Sequence, residues 1–226
     1  MFEQQPAALQ QHVKTLATQA QQQNQPYAWF EPLYAQAQGD MAQVPWAKST
    51  PHPYLQEWLL QQSQVSNRSA LVIGCGLGDD AEALQSHGYQ VTAFDVSPTA
   101  IAWCRQRFPN SEVHYQAADL FNLDPNWQQT FDLVYECRNI QALPIGMRPQ
   151  VIGAIAPLVS QTGMLLVITR TRTDETECEG PPWPLSPQEL AEFTTYGFQE
   201  TERAIFLAGG TVPQARIIYH RMNTGI

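Results

Sequence analysis

Three glycines that alternate with other residues, followed one strand later by an acidic side chain, are the most chemically informative feature of this chain. Gly74, Gly76 and Gly78 end the apolar run of residues 70–73. Such a run is typical of a buried parallel strand and a tight turn, where the backbone can approach a ligand closely. Asp95 ends the next apolar stretch, where nucleotide-binding α/β sheets hold two ribose hydroxyls. The pattern predicts a site for an adenosine-type cofactor.

Two acids at the start of the helix that should follow the glycines discriminate between cofactors. Asp79 and Asp80 would occupy the first helical turn, where a dinucleotide places its pyrophosphate. Like charges would repel each other there, whereas the sulfonium and α-ammonium groups of S-adenosylmethionine would be attracted. We therefore expect S-adenosylmethionine, and not a nicotinamide dinucleotide, as the cofactor.

These residues resemble motif I of class I S-adenosylmethionine-dependent methyltransferases. The resemblance implies that Asp95 holds the ribose and that Gly74 and Gly76 lie beside the methionine moiety. It also implies that the loop at Ala118 and Asp119 meets adenine, and that Glu136 or Asp79 faces the ammonium group or a water molecule near it. The expected cofactor-binding residues are Trp46, Gly74, Cys75, Gly76, Asp79, Asp95, Val96, Ala118, Asp119, Leu120 and Glu136.

A narrower resemblance, over residues 29–206, is to the thiopurine and thiol or halide methyltransferase-like branch. It rests on Trp46 and on the segments 131–136, 142–144 and 180–186, of which the last reads Gly-Pro-Pro-Trp-Pro-Leu-Ser. In that branch an Asp-Arg pair often follows the fourth strand, and its arginine faces the substrate. Here the aligned pair is Glu136-Cys137, with Arg138 displaced by one residue.

The expected acceptor is a small molecule, and a soft nucleophile such as a thiol, selenide or halide is the favoured class. Methyl transfer to such an atom needs positioning and the exclusion of water rather than a general base. No convincing base stands near the strand ends, so catalytic residues stay unassigned, and the four scattered cysteines indicate no metal site. The candidate substrate residues are Trp29, Arg138, Gln141, Arg170 and Trp183.

Two alternatives to this function stay open. The chain could methylate oxygen or nitrogen of a small aromatic or acidic metabolite, which would require an acid such as Glu136 to remove a proton. It could also be a regulator that binds the cofactor without turnover. The absence of the Asp-Arg pair is the observation that supports this alternative.

Composition limits the partners. The chain has 226 residues, 43% of them hydrophobic, and a formal net charge of -9 with only 12 Lys and Arg. Nucleic-acid binding needs a clustered basic surface, so we expect no nucleic-acid partner. No stretch approaches the length of a membrane span, and no signal peptide is evident. We expect a soluble, cytoplasmic monomer or weak homodimer that binds no membrane.

The elements that must position these residues alternate as in an α/β protein with a Rossmann-like, doubly wound sheet. Five strands are expected at residues 70–74, 89–95, 112–116, 131–137 and 164–170, with helices at 79–87, 98–108 and 147–159. Two further strands, at 198–206 and 215–221, are joined too closely for a parallel crossover, so the last strand should be antiparallel. We expect a seven-stranded mixed sheet, with residues 1–60 as a helical N-terminal extension or lid and 61–226 as the cofactor-binding domain.

Overall fold

The computed structural model describes residues 6–173, 178, 180–208 and 212–222. Seven strands form one sheet in the order β3-β2-β1-β4-β5-β7-β6. The strands are β1 (Arg68–Ile73), β2 (Tyr89–Asp95), β3 (His114–Ala117), β4 (Phe131–Cys137), β5 (Val159–Arg170), β6 (Phe198–Ala208) and β7 (Val212–Arg221). The first five strands run parallel, and β7 is antiparallel to both β5 and β6. This confirms the predicted mixed sheet with an antiparallel last strand.

Seven α-helices are described. They are α1 (Ala7–Gln22), α2 (Phe30–Ala37), α3 (Pro53–Leu60), α4 (Asp79–Ser86), α5 (Pro98–Arg107), α6 (Arg148–Ile155) and α7 (Pro187–Ala191). Helices α3, α5 and α7 begin after a residue whose side chain caps the helix. At the start of α5, the Ser97 hydroxyl accepts a hydrogen bond from the Ala100 amide at 3.0 Å. Proline follows each of the caps Ser97 and Ser186, because its fixed φ suits the first helical position.

The sheet is covered on both faces, as a parallel sheet requires. Alternate residues of β4 show the two faces: Val134 packs beneath α6 and α7, and Tyr135 packs beneath α3 and α4. In β5 the same alternation sends Val167 to the first face and Ile168 to the second. We call these the α6 face and the α3 face. The carboxyl ends of the parallel strands form the edge of the sheet at which the predicted site residues lie.

Strand β5 starts five residues before the predicted position. Val159 already pairs with Phe131, and a register shift follows before Leu133 pairs with Met164. Gly163, which the sequence suggested as a turn before the strand, lies inside it. A Cβ at Gly163 would stand 2.8 Å from the Phe131 carbonyl oxygen, so the close approach of the two backbones requires glycine there. The preceding helix ends correspondingly early and continues as one short 3-10 turn, 156–158.

The N-terminal segment carries three helices. Four residues of α1 are buried at helical spacing, namely Leu9, Val13, Ala17 and Ala20, and part of this stripe packs with Trp29 and Leu33. By contrast, Leu55 and Trp58 of α3 belong to the core of the α3 face. The division into an extension at 1–60 and a domain at 61–226 stays a prediction. No helix in the described ranges is long and apolar enough to cross a membrane.

Candidate cofactor and acceptor site

The glycine turn after β1 has the backbone conformation that its residue types predict. Gly74, Gly76 and Gly78 have φ angles of +54°, +55° and +89°, which side chains rarely adopt. Between them, the Cys75 amide donates to the Phe94 carbonyl at 2.8 Å and so ties the turn to the end of β2. The turn is therefore fixed by β2, and its backbone lies at the carboxyl edge of the sheet.

Asp95 ends β2 directly beside this turn and is buried. One carboxylate oxygen accepts from the Gly76 amide at 3.0 Å and the other from the Ser97 amide at 2.9 Å. Burial raises the pKa of Asp95 to about 6, although these amides act against the rise. Because each oxygen has about two acceptor positions, both retain capacity for a further donor. Two hydroxyls of a ribose are donors of this kind.

Asp79 has a partner within the protein, and its role at the cofactor stays a prediction. Its carboxylate forms two hydrogen bonds with the Arg107 guanidinium of α5, each 2.8 Å long. The arginine also donates to the Leu77 carbonyl oxygen, which holds it against the glycine turn. A fork-to-fork pair of this geometry neutralises the acid. The structure therefore ties Asp79 to α5, where the sequence suggested that it would face a cationic group.

Asp80, the second acid of the turn, points to the α3 face. Its carboxylate accepts from the His52 amide at 2.6 Å and from the Tyr135 hydroxyl at 2.9 Å. Burial is the main cause that raises the pKa of Asp80 to about 6. The His52 ring lies next to it, and its Nδ1 accepts from the Tyr54 amide at 3.3 Å. Burial and the Arg138 charge lower the pKa of His52 to about 3, so its ring is neutral near pH 7.

Glu136 occupies the end of β4 on the α6 face and is fully buried. Its Oε1 accepts from the amides of Asn139 and Ile140, at 2.5 and 3.0 Å, and so caps a short turn. Its Oε2 is buried and has no hydrogen-bond partner in the described part of the chain. Burial raises the pKa of Glu136 to about 7. An unsatisfied carboxylate oxygen of this kind suits a cationic or donor group of a ligand.

The loop after β3 joins the ribose acid to the expected adenine edge. The Ala118 amide donates to the Asp95 carbonyl at 3.0 Å. Asp119 caps the turn that begins at Leu120, because its Oδ1 accepts from the Phe121 amide at 2.9 Å. Val96, Ala118, Asp119 and Leu120 are all half-buried, so this loop keeps some access to a ligand.

The N-terminal segment crosses these strand ends in order. Tyr27 donates to Asp119 at 3.2 Å, after β3, and Glu31 accepts from Ser97 and Thr99 at the start of α5. The Trp46 indole donates to the Tyr34 hydroxyl at 2.6 Å, and both side chains lie within 3.6 Å of a Cβ built on Gly76. Sequence patterns suggested an aromatic lid that includes Tyr34 and Trp46, but they gave no sign of Glu31, whose role depends on contacts across the fold.

The five candidate substrate residues do not converge on one point. Arg138 and Arg170 lie on the α3 face: the Arg138 guanidinium donates to Gln214 Oε1 at 2.6 Å, and Gln214 is directly opposite Arg170 in the β5–β7 ladder. Gln141 is buried on the α6 face, where its Oε1 accepts from the Thr169 hydroxyl and the Arg170 amide.

The other two candidates are tryptophans. Trp183 lies near the α6 face, where its amide donates to the Gln141 carbonyl at 2.6 Å and its ring covers Gly180. Trp29 is buried in the extension and stacks on Phe30 with ring centroids 4.0 Å apart. Neither therefore lies on the α3 face with the two arginines.

The residues present fit S-adenosylmethionine. Three groups lie at neighbouring strand ends: the glycine turn at Gly74 and Gly76, the buried acceptor Asp95 and the unpartnered oxygen of Glu136. They are of the types that a methionine backbone, ribose hydroxyls and an ammonium group would require. In the part of the chain that the structure describes, no group of His, Cys, Asp or Glu could hold a metal ion. A seven-stranded mixed sheet with a site at this edge defines the class I methyltransferase architecture.

Comparison with known sequences identifies the family within this class. The sequence profile of the family described as thiopurine S-methyltransferase matches residues 36–205. The chain belongs to this family, and S-adenosylmethionine is its cofactor.

Individual relatives agree with the family match. The chain is 30% identical over 150 residues to the probable thiol methyltransferase 2 of Arabidopsis thaliana, covering 65% of this chain and 64% of that protein. It is 27% identical to thiocyanate methyltransferase 1 of the same plant, covering 66% and 65%. A probable thiopurine S-methyltransferase of Yarrowia lipolytica is 23% identical, covering 71% and 83%. The chain thus spans slightly less than two-thirds of the first two relatives.

Solved structures show the same fold. The N-methyltransferase NodS from Bradyrhizobium japonicum, in complex with S-adenosyl-L-homocysteine, aligns with a TM-score of 0.64 at 21% identity, covering 85% of this chain and 97% of that one. A structure described for the conversion of a disulfide bond into a thioacetal group in echinomycin biosynthesis aligns with a TM-score of 0.68 at 18% identity, covering 86% and 94%.

Proposed function

We propose that this chain transfers the methyl group of S-adenosylmethionine to a soft nucleophile of a small molecule, with a thiol as the preferred acceptor. The observation that carries this proposal is that the acidic side chains at the described strand ends already have partners within the protein. Asp79 is paired with Arg107, Asp80 accepts from Tyr135 and a backbone amide, and Glu136 caps a turn. Glu136 Oε2 is the one oxygen of the three carboxylates that has no partner among the described residues, and we assign it to the ammonium group of the cofactor, which leaves none of the three as a base for an alcohol or amine.

His52 is also unsuited to take a proton. Its Nδ1 is an acceptor for the Tyr54 amide, so the neutral ring carries its proton on Nε2. Arg138 lies close enough to lower the pKa of His52, which disfavours a second proton on the ring. A thiol loses its proton to solvent more readily than an alcohol, because its ordinary pKa is about 8.5, and the minor thiolate fraction is the species that attacks the methyl group, so no base from the protein is needed.

The chain's own contribution is then positioning and the exclusion of water. When bound, S-adenosylmethionine supplies a methyl group on a cationic sulfur, which a soft nucleophile displaces in line. In this proposal Asp95 accepts the ribose hydroxyls, Gly74 and Gly76 line the methionine moiety, and Glu136 Oε2 accepts from the ammonium group. Ala118 and Asp119 line adenine, and the aromatic segment around Trp46 covers the site.

The names of the relatives support a sulfur acceptor. They refer to thiol, thiocyanate and thiopurine methyltransferases, which share transfer to sulfur and differ in the rest of the acceptor. We also propose that the chain acts as a monomer or weak homodimer, which sedimentation analysis at several concentrations tests. A further proposal is that it works in the cytoplasm, because its four free thiols suit a reducing compartment.

The function is tested in two steps. Calorimetric titration should give micromolar binding of S-adenosylhomocysteine and no binding of NADH. The protein should then release S-adenosylhomocysteine from S-adenosylmethionine with bisulfide, thiocyanate, iodide or simple thiols. Release with catechols or amines but with none of these soft nucleophiles would reject the proposed acceptor class, and binding without any release would favour a regulator.

A further inference from the structure

Arg170 is a half-buried cation at the carboxyl end of β5, on the α3 face. Ile168, two residues earlier, belongs to the core of that face, and side chains two apart in a strand point the same way. Burial lowers the pKa of Arg170, and the charge of Arg138 lowers it further. Arg138 donates to Gln214 Oε1 at 2.6 Å, and Gln214 is directly opposite Arg170 in the β5–β7 ladder, so the two arginines lie close together at the carboxyl edge of the sheet.

Three other buried or half-buried arginines of the two faces have carboxylate partners. Arg148 and Arg172 share Glu189, and Arg216 pairs with Glu57 and Glu202. Among the described residues no carboxylate forms an ion pair with Arg170, and its Nε is buried without a hydrogen-bond partner. A guanidinium does not lose its proton at ordinary pH, so partial burial beside a second cation is unfavourable until an anion is bound.

We propose that Arg170, with Arg138 beside it, binds a carboxylate group of the methyl acceptor, so that the preferred acceptor is a small thiol that also carries a carboxylate. This inference rests on the proposed function. The planar guanidinium matches a carboxylate in two-point geometry, whereas a soft thiolate or halide gives no such match. Arg170 is therefore a binding residue that selects the acceptor, and it leaves the sulfur to the cofactor side of the cleft.

The sheet order sets the separation between the two ends of such an acceptor. The glycine turn follows β1, Arg170 ends β5, and β4 lies between them. Adjacent strands are about 4.8 Å apart, so β1 and β5 are separated by about 10 Å across the sheet. Ile73 is level with Glu136 and Val167 in the ladders, so Arg170 lies three residues, or about 10 Å, further along the strand direction. The long arginine side chain spans part of this separation, and a short mercapto acid is therefore the first probe.

The matched probes are 3-mercaptopropionate and 3-mercaptopropanamide, which have nearly the same shape and differ in charge. For the wild-type protein we expect kcat/KM to be at least about tenfold higher for the acid, as expected for a charge-assisted hydrogen bond. Arg170→Gln should abolish this preference by raising KM for the acid, while Arg170→Lys should keep part of it. Arg68→Gln is the matched control, because Arg68 is exposed at the opposite end of the sheet.

A second measurement does not depend on turnover. The product 3-(methylthio)propionate should bind to the complex of the protein with S-adenosylhomocysteine, and Arg170→Gln should weaken this binding at least about tenfold. S-adenosylhomocysteine affinity should stay within about twofold in every variant, which shows that the fold and the cofactor site are intact.

The outcomes separate the two proposals. Equal transfer to the acid and the amide overturns the carboxylate site but supports thiol methylation. No transfer to any thiol rejects the proposed function, and the product-binding experiment then still decides the role of Arg170. If Arg170→Gln binds the product as well as the wild type does, the carboxylate site is rejected.

Discussion

Asp79 and Arg107 form a two-point ion pair between the first turn of α4 and the last turn of α5, with both oxygen–nitrogen distances 2.8 Å. The side chains are 17% and 20% exposed, so the pair is more shielded than a surface salt bridge. Its position next to the glycine turn gives this pair a structural role: it fixes the two helices whose N-termini flank the cofactor site.

A double-mutant cycle tests this role. Asp79→Asn and Arg107→Met should each lower the free energy of unfolding by about 1 kcal/mol, and the double variant should lose less than the sum. S-adenosylhomocysteine affinity should change by less than about threefold in each. Urea denaturation and calorimetry measure the two quantities. A tenfold loss of S-adenosylhomocysteine affinity in Asp79→Asn, with no such loss in Arg107→Met, would show instead that Asp79 contacts the cofactor.

Asp95→Ala should weaken S-adenosylhomocysteine binding by about tenfold or more, because a two-hydroxyl contact is lost. Asp95→Asn retains one acceptor oxygen and should lie between Ala and the wild type. Asp124→Ala is the control, since Asp124 is exposed and caps only a three-residue turn. Unchanged affinity in Asp95→Ala would remove Asp95 from the ribose site.

Cofactor binding should release protons near pH 6.5. The pKa values of Asp95 and Glu136, about 6 and 7, lie above the ordinary carboxyl range because both groups are buried. A ligand that donates to these oxygens favours their ionised forms, so binding lowers both pKa values, and affinity rises between about pH 5.5 and 7.5.

Calorimetry in two buffers of different ionisation enthalpy counts these protons, and Glu136→Gln should release fewer. Proton uptake would contradict the assignment. In the ligand-free protein the raised pKa values have the opposite consequence: they contribute stability at low pH, which is lost as the pH rises through about 6 to 7.

Gly74→Ala should destabilise the protein by about 2 kcal/mol or more, since its φ of +54° strains an L-residue and its Cβ would stand 1.9 Å from Asn139 Oδ1. Asn139 donates to the Ile73 carbonyl at 2.8 Å and has little freedom to move. Gly146→Ala is the control, because a Cβ there meets nothing within 4 Å. Thermal unfolding should separate the two variants by at least about 4 °C.

Glu31→Gln should loosen the N-terminal segment. Glu31 accepts three hydrogen bonds from Ser97 and Thr99, and removing its charge weakens all three. Amide exchange in residues 27–46 should speed up severalfold, while exchange in β1 and β4 stays unchanged. Equal acceleration in the central strands would indicate global destabilisation instead.

Local patterns predicted the seven strands, the glycine turn and the position of Asp95 at a strand end, because apolar runs and turn residues depend on neighbours in sequence. The pairing of Asp79 was not predictable in this way, since Arg107 lies 28 residues further on. The same holds for Glu31 with Thr99 and for Arg138 with Gln214, which are 68 and 76 residues apart. Such contacts are determined by how the helices pack on the sheet. The sequence shows which side chains can form ion pairs and hydrogen bonds, but not which of them meet.

The helix α3 is held by the opposite end of the chain: Arg216 of β7 donates to the Tyr54 carbonyl across 162 residues and pairs with Glu57. During synthesis the N-terminal segment leaves the ribosome first, but these contacts wait until β7 has been made. The aromatic residues of the N-terminal segment meet their neighbours earlier, since Tyr27 bonds Asp119 and Trp46 lies against the glycine turn. Helix α3 is therefore the part of this segment that gains its native contacts last, after the strands that carry the predicted cofactor residues have been made.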